Sequence, residues 1–389
     1  MSSKQIDLLN WKKADDHVDE AIRKANWVNL CAMASQLNHR LPCAPLDKIT
    51  NGLHNAVRIL EFSDKTRWIA RIGLRSRIAG SIKLQNEVSA MQLIKERSSL
   101  PVPKVFAYEV DENNPAGIPF ILMEFIPGNT GMDAAGGYEM HKGHIPTAYR
   151  GTFYRSVARC HVQLTSLRFS QIGSIVMKPD GQYSIGPIPL LGGPFDTATE
   201  FFNAWAACIK FPLSDGRIRE LMGRGPTEEI LRAIHEFPSQ IKAMSSRLSQ
   251  TDRGPFPLCH GDFLHSNMIV NEDFELAAVI DWESASTYPL ELVEFPSFLK
   301  VMPVQFGSSG DYDKDGLPLD EEEKQKWKER QDYLQMVKSF EDKDHVLSTC
   351  LGNEKSLALA YCMMAYSNGK LGFYDRVVNE LKINSAEGI

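Results

Sequence analysis

The order of segment types along the chain constrains its fold more than any other feature. From Asp47 the stretch "DKITNGLHNAVRILEFSDKTRWIARIG" holds β-rich runs broken by two turn signals, Asn51-Gly52 and Ser63-Asp64-Lys65. Two or three antiparallel strands satisfy that pattern. "SIKLQNEVSAMQLIKERS" then reads as a helix, and "LPVPKVFAYEV" and "IPFILMEFIPG" read as two more strands around the turn "DENNPAG". The order β-β-β-α-β-β closes a small α+β unit near Pro127-Gly128.

Ahead of this unit, residues 15–38 read as a helix, with Val18, Ile22, Trp27, Leu30 and Met33 near helical spacing. Behind it, Asn129 to Pro146 is Gly-rich and expected to be loop. The remainder of the chain is mostly helical, beginning with "TAYRGTFYRSVARCHVQLTSL" and interrupted by a hairpin turning at Pro179-Asp180-Gly181. The mixed-sign segment "DYDKDGLPLDEEEKQKWKER" reads as a solvated loop and a helix start. With 389 residues, two domains are the default, placed at 1–127 and 128–389.

Composition excludes some classes. The net charge of −6 argues against nucleic-acid binding, which needs a basic face. The longest apolar run, "LALAYCMMAY", falls short of the roughly 20 residues of a membrane span. Seven scattered cysteines without a C-x-x-C predict no disulfide framework, and the first residues lack the apolar core of a secretory signal. The expectation is a cytoplasmic protein with no membrane partner; the oligomeric state stays open.

The chemistry concentrates in "LCHGDFLHSNMIV", Leu258 to Val270. A short hairpin, "MIV" and "ELAAVI" around "NEDF", comes after Asn267 and ends at Asp281. It returns the chain so that Asp281 lies near the loop before the first strand, and Asp262, Asn267 and Asp281 converge. Asn267 stands five positions after Asp262, and Asp281 fourteen after Asn267. An amide oxygen and a carboxylate suit Mg²⁺, while a second carboxylate off the metal can accept the proton of an attacking hydroxyl. Each residue alone reads as turn or cap chemistry; the full set, behind a β-rich unit, points to phosphoryl transfer.

"HGDFLHSN" with "VIDWE" resembles the aminoglycoside phosphotransferase and choline kinase-like family, in its fungal branch, which "RWIARI", "LMEFIPG", "IGSI" and "GGPF" resemble as well. The likeness runs from about Ile49 to at least Pro296. It implies a two-lobe protein-kinase-like α+β fold, with a small β-rich N-lobe, a larger helical C-lobe and the nucleotide between them. By that resemblance Asp262 is catalytic, and Asn267 and Asp281 hold Mg²⁺. Arg71 takes the place of the nucleotide-binding Lys, Glu87 orients it, Gly52 and Asn55 approach the phosphates, and the backbone around Glu124 and Ile126 meets adenine. Glu283 is left between a second metal contact and a helix cap. His260 is expected to brace the loop, and His265 to pack in it. Gly261 in place of Arg, and Trp282-Glu283 in place of Phe-Gly, separate the chain from protein kinases.

The implied cofactors are ATP and Mg²⁺, and the implied partner is a small-molecule hydroxyl substrate. Family acceptors that are cations would need acidic or aromatic lining, for which Trp205, Trp282, Glu291 and Glu294 are candidates. The single glycine of "NGLHNAVRI" and the Arg at position 71 keep a second reading in play, a nucleotide-binding pseudokinase or scaffold.

Overall fold

The computed structural model describes residues 19–52, 54–74, 78–223, 225–314 and 316–383. They form two compact units. The first takes in the described residues up to Cys160 with Ile175–Ser184 and His260–Ala285. The second takes in His161–Ser174, Ile185–Cys259 and the described residues from Ser286 onward.

The first unit is built on an antiparallel sheet of β1 (Cys43–Asn51), β2 (Asn55–Phe62), β3 (Arg67–Gly73), β4 (Val105–Glu109) and β5 (Phe120–Glu124), in the order β1-β2-β3-β5-β4. All five strands expected from the sequence are present. Side chains alternate between faces with a period of two. Ala56, Leu60 and Phe62 of β2, Trp68, Ala70 and Ile72 of β3, and Phe120 and Leu122 of β5 therefore share one face, where they pack with Leu30, Cys31 and Ala34. That parity puts Arg71 on the opposite face, paired in register with Val57 and Ile121.

The helix expected over residues 15–38 is two helices, α1 (Asp19–Lys24) and α2 (Trp27–Leu37); residues 15–18 lie outside the described residues. Asn26 divides them. Its side-chain oxygen accepts from the Asn29 amide at 3.1 Å, a helix-starting cap that periodicity alone does not reveal. Helix α3 (Ile78–Arg97) is buried continuously from Asn86 to Met91, so its polar residues there must find partners. The expected turn at Pro179–Gly181 is present, and Tyr183, beyond it, donates its hydroxyl to Glu96 of α3 at 2.8 Å.

The Gly-rich segment is not all loop. Asn129–Thr130 adds a short strand to the hairpin of Met268–Val270 and Leu276–Val279, pairing with Val270 and Ile269, and Gly137–His141 is a single helical turn. Gly128 allows this approach, because a Cβ there would stand 2.3 Å from the Val270 carbonyl oxygen.

The second unit is mostly helical. Helices Ala198–Cys208, Thr227–Leu248, Glu354–Ser367 and Tyr374–Ile383 bury Trp205, Phe237, Tyr366 and Tyr374 against one another. Helix Glu321–Phe340 starts where the mixed-charge segment predicted, with Asp320 accepting from the Glu323 amide at 2.9 Å. The chain is thus α+β, with a β-sheet N-terminal region and a helical C-terminal region. All seven cysteines are free thiols, and among the described residues no helix is long and apolar enough to cross a membrane.

Candidate active site

Arg71 and Glu87 meet between β3 and α3. Both guanidinium Nη atoms donate to the carboxylate, Nη1 to Oε1 and Nη2 to Oε2, the latter at 2.9 Å. Their side chains are 10% and 1% exposed. Burial works against the charged guanidinium, but the Glu87 carboxylate together with Asp281 and Glu283 outweighs it and holds the Arg71 pKa above its ordinary value. Asn55, with its amide oxygen turned to the guanidinium, accepts from Nη2 at 2.8 Å and Nε at 3.2 Å. Asp281 Oδ1 stands 3.7 Å from the same Nη2, and Glu283 lies within Coulombic reach.

The loop that leaves Cys259 is braced by the histidine the sequence singled out. His260 pairs Nε2 with the Ile280 carbonyl at 3.0 Å, and its Nδ1 accepts from the Asp262 amide at 3.3 Å. Burial lowers its pKa, against the opposing pull of Asp281 and Asp262, so the ring is held neutral between the two carboxylates. His265 contacts the Gly143 carbonyl at 2.5 Å, the packing role expected of it. Gly261 has φ +84°, and a Cβ there would meet the Ser284 carbonyl oxygen at 2.6 Å. A side chain here, such as the arginine of protein-kinase loops, would be strained in this backbone conformation.

Asn267 closes the loop. Its Nδ2 donates to the Asp262 carbonyl at 3.0 Å and to Asp262 Oδ2 at 2.9 Å, while the Ile280 amide donates to the Asn267 carbonyl at 2.9 Å. Asp281 comes after the hairpin with φ +65°, a left-handed conformation that Asp tolerates better than most residues. No helix starts directly after it, so Glu283 is not a helix cap.

Mg²⁺ takes oxygen ligands and needs only one or two from protein beside phosphates and waters. Asp281 Oδ1 is buried without a hydrogen-bond partner among the described residues, and the Asn267 amide oxygen accepts no hydrogen bond there. Both atoms fit the ion. Ile126 makes no backbone hydrogen bond among the described residues, while the Glu124 amide donates to the Lys104 carbonyl at 2.8 Å. The Glu124 side chain in turn accepts from the Lys104 amide at 3.0 Å.

The Gly52 amide donates to the Asn55 carbonyl at 2.9 Å, within the β1–β2 turn. The aromatic lining proposed for a cationic acceptor is corrected. Trp282 is fully buried and donates to the Val279 carbonyl at 2.9 Å, and Trp205 belongs to the second unit's core. Glu294 is paired with Lys300 at 2.5 Å, and Glu291 accepts from the Gln250 amide at 2.9 Å. The Asn55–Arg71 contact was missed, because only strand register aligns residues so far apart in sequence.

Residues 46–291 match the phosphotransferase enzyme family, APH, and the chain belongs to that family. Among curated proteins it is similar to altered inheritance of mitochondria protein 9, mitochondrial, from Candida glabrata, at 28% identity over 34% of this chain and 23% of the relative. The protein of that name from Saccharomyces cerevisiae is 23% identical over 67% of this chain and 51% of its own length. The chain thus spans about half, or less, of these relatives. Among solved structures it is similar to a thermostable mutant of aminoglycoside phosphotransferase APH(4)-Ia with ADP and hygromycin B. That likeness has TM-score 0.47 and 12% identity, over 92% of this chain and 99% of that one. Macrolide 2'-phosphotransferase type I gives TM-score 0.42 and 14% identity, over 91% and 96%. The mitochondrial designation of the curated relatives overturns the cytoplasmic expectation.

Proposed function

We propose that this chain transfers the γ-phosphoryl group of ATP to a hydroxyl of a small molecule. The observation that carries the reading is the joined set of Arg71, Glu87 and Asp281 on one side and Asp262 bonded to Asn267 on the other, with His260 in reach of both aspartates. Asp262 accepts the acceptor's hydroxyl proton as the oxygen–phosphorus bond forms and the bond to the β-phosphate oxygen breaks. Arg71, held in place by Glu87, binds phosphate oxygens. Ile126 offers an unused backbone amide to the adenine edge. Asn267 and Asp281 would hold Mg²⁺, whose charge neutralises the phosphates and stabilises the transferring group when bound.

Calorimetric titration with ATP, with and without Mg²⁺, tests the nucleotide half. Incubation with ATP and a metabolite library, read by the mass shift of the acceptor, tests transfer. Absence of any nucleotide binding at millimolar concentration would remove the proposal. The pseudokinase reading is favoured by one observation, that Arg71 and the Gly52 amide are already engaged within the protein. ATP binding without turnover of any acceptor is its signature. The names of the relatives support a mitochondrial location, which organelle fractionation checks.

A further inference from the structure

We propose that a cavity within the second unit binds a small monocarboxylate with an apolar body, its head held by Arg330 and Trp327. The inference goes beyond the phosphotransferase reading and does not depend on it; none of the residues around Arg71 lines this cavity.

The cavity measures about 300 Å³. Val301, Pro303, Val304, Leu357, Ala358 and Val377 give it apolar walls. That size is at the small end of ligand pockets. One wall is different in kind. Arg330, on helix Glu321–Phe340, is only 5% exposed, yet it reaches the cavity. Its guanidinium lies 4.3 Å from the Phe295 ring centre and 5.4 Å from that of Trp327, held between two aromatic rings. Its carboxylate neighbour is Glu354, with Oε1 at 3.6 Å from Nη2, a long contact on a side chain 60% exposed. Glu294 lies within Coulombic reach but is paired with Lys300. One turn earlier on the same helix, the Trp327 indole N–H is buried with no acceptor among the described residues.

A buried cation with only a long contact to an exposed carboxylate, and a buried donor without an acceptor, are each costly, and proteins rarely leave both at one place. An oxyanion in the cavity satisfies the two together. The guanidinium fork matches a carboxylate bidentately, and the indole donates from beside it. The carboxylates of Glu354 and Glu380 balance the cations Arg330 and Lys355 in the cavity lining. With no excess positive charge to offset a phosphate dianion, a singly charged carboxylate is the better fit. The apolar walls take a hydrocarbon body of about a medium-chain acid.

Calorimetry on the intact protein with hexanoate, hexanamide and hexyl phosphate tests this. Hexanoate should bind, and the neutral amide at least ~10-fold more weakly, because it forgoes a charge-assisted hydrogen bond. Trp327→Phe keeps the ring and removes the donor, and should weaken hexanoate roughly 3- to 10-fold. Arg330→Met should abolish the preference for hexanoate over the amide. Should that variant not fold, Ala358→Phe fills the cavity and should abolish binding of both. Failure of hexanoate to bind at millimolar concentration, equal binding of acid and amide, or unchanged binding in Ala358→Phe would overturn the site. Tighter binding of hexyl phosphate would overturn the carboxylate assignment.

Discussion

Arg71 of β3 and Glu87 of α3 form a two-point ion pair that almost no solvent reaches, and Asn55 and Asp281 close around the same guanidinium. A buried pair of this kind is weak evidence for net stability, but removing one partner strands the other charge. Glu87→Leu should destabilise the protein by about 3–5 kcal/mol, and Arg71→Met with Glu87→Leu together should cost less than Glu87→Leu alone. Urea denaturation of the parent and both variants checks this. A Glu87→Leu protein as stable as the parent would show the pair to be dispensable.

Asn55 occupies Arg71 donors that a phosphate would need. Asn55→Ala should therefore raise affinity for ATP, by about two- to tenfold, the worth of a modest hydrogen bond no longer broken on binding. A fall in affinity would instead support direct donation from Asn55 to the phosphate, the role the sequence suggested.

Much of the first unit could be read from sequence because its signals are local. Strand alternation, the Asn51-Gly52 turn and the hairpin between Asn267 and Asp281 each act over a few residues. The candidate site residues are a spaced set in the sequence, and two of the expected contacts form, Arg71 with Glu87 and Asp262 with Asn267. The features that stayed hidden depend on contacts between distant segments. The Asn26 break in the N-terminal helix, the strand that Asn129 and Thr130 add to the Ile269–Val270 edge, and the burial of Trp282 arise from packing. Aromatic residues suggested a ligand surface where the fold uses them as core.

Gly261 and Gly52 carry opposite demands. Gly261 sits at φ +84° against the Ser284 carbonyl, whereas nothing lies within 4 Å of a Cβ at Gly52. Gly261→Ala should cost at least about 1–2 kcal/mol from backbone conformation, with the contact adding to it. Gly52→Ala should change thermal stability little. Equal melting temperatures for the two variants would refute the assigned loop geometry.

Acid should weaken the fold through its buried histidines. Burial lowers the pKa of His161, in the second unit, to about 3, and burial also lowers that of His260, in the first. Unfolding exposes each ring to water, where its pKa is about 6.5. Between those values the unfolded chain binds protons that the folded chain refuses, so stability falls as pH falls below about 6.5. For His161 the loss from pH 7 to pH 5 is on the order of 2 kcal/mol. Denaturation at both pH values should show it, and His161→Phe should reduce the difference. A pH-independent stability over this range would contradict the buried neutral ring.

Asp262→Asn and Asp281→Asn should fail in different ways. Asp262 is positioned by its own amide on His260 and by Asn267 on its carboxylate, so the amide variant keeps the shape of the loop while losing the proton acceptor. Phosphoryl transfer should slow by ~10²–10⁴-fold while ATP affinity barely moves. Asp281 offers a buried oxygen with no hydrogen-bond partner among the described residues, facing Arg71 at 3.7 Å. Replacing one carboxylate oxygen by NH₂ puts a donor where a cation belongs. Mg·ATP should then bind more weakly, and added Mg²⁺ should recover part of the activity. Nucleotide titration over a range of Mg²⁺ concentrations reads the second effect without any acceptor. Unchanged Mg²⁺ dependence in Asp281→Asn would take the metal away from Asp281, and parental turnover in Asp262→Asn would take proton transfer away from Asp262.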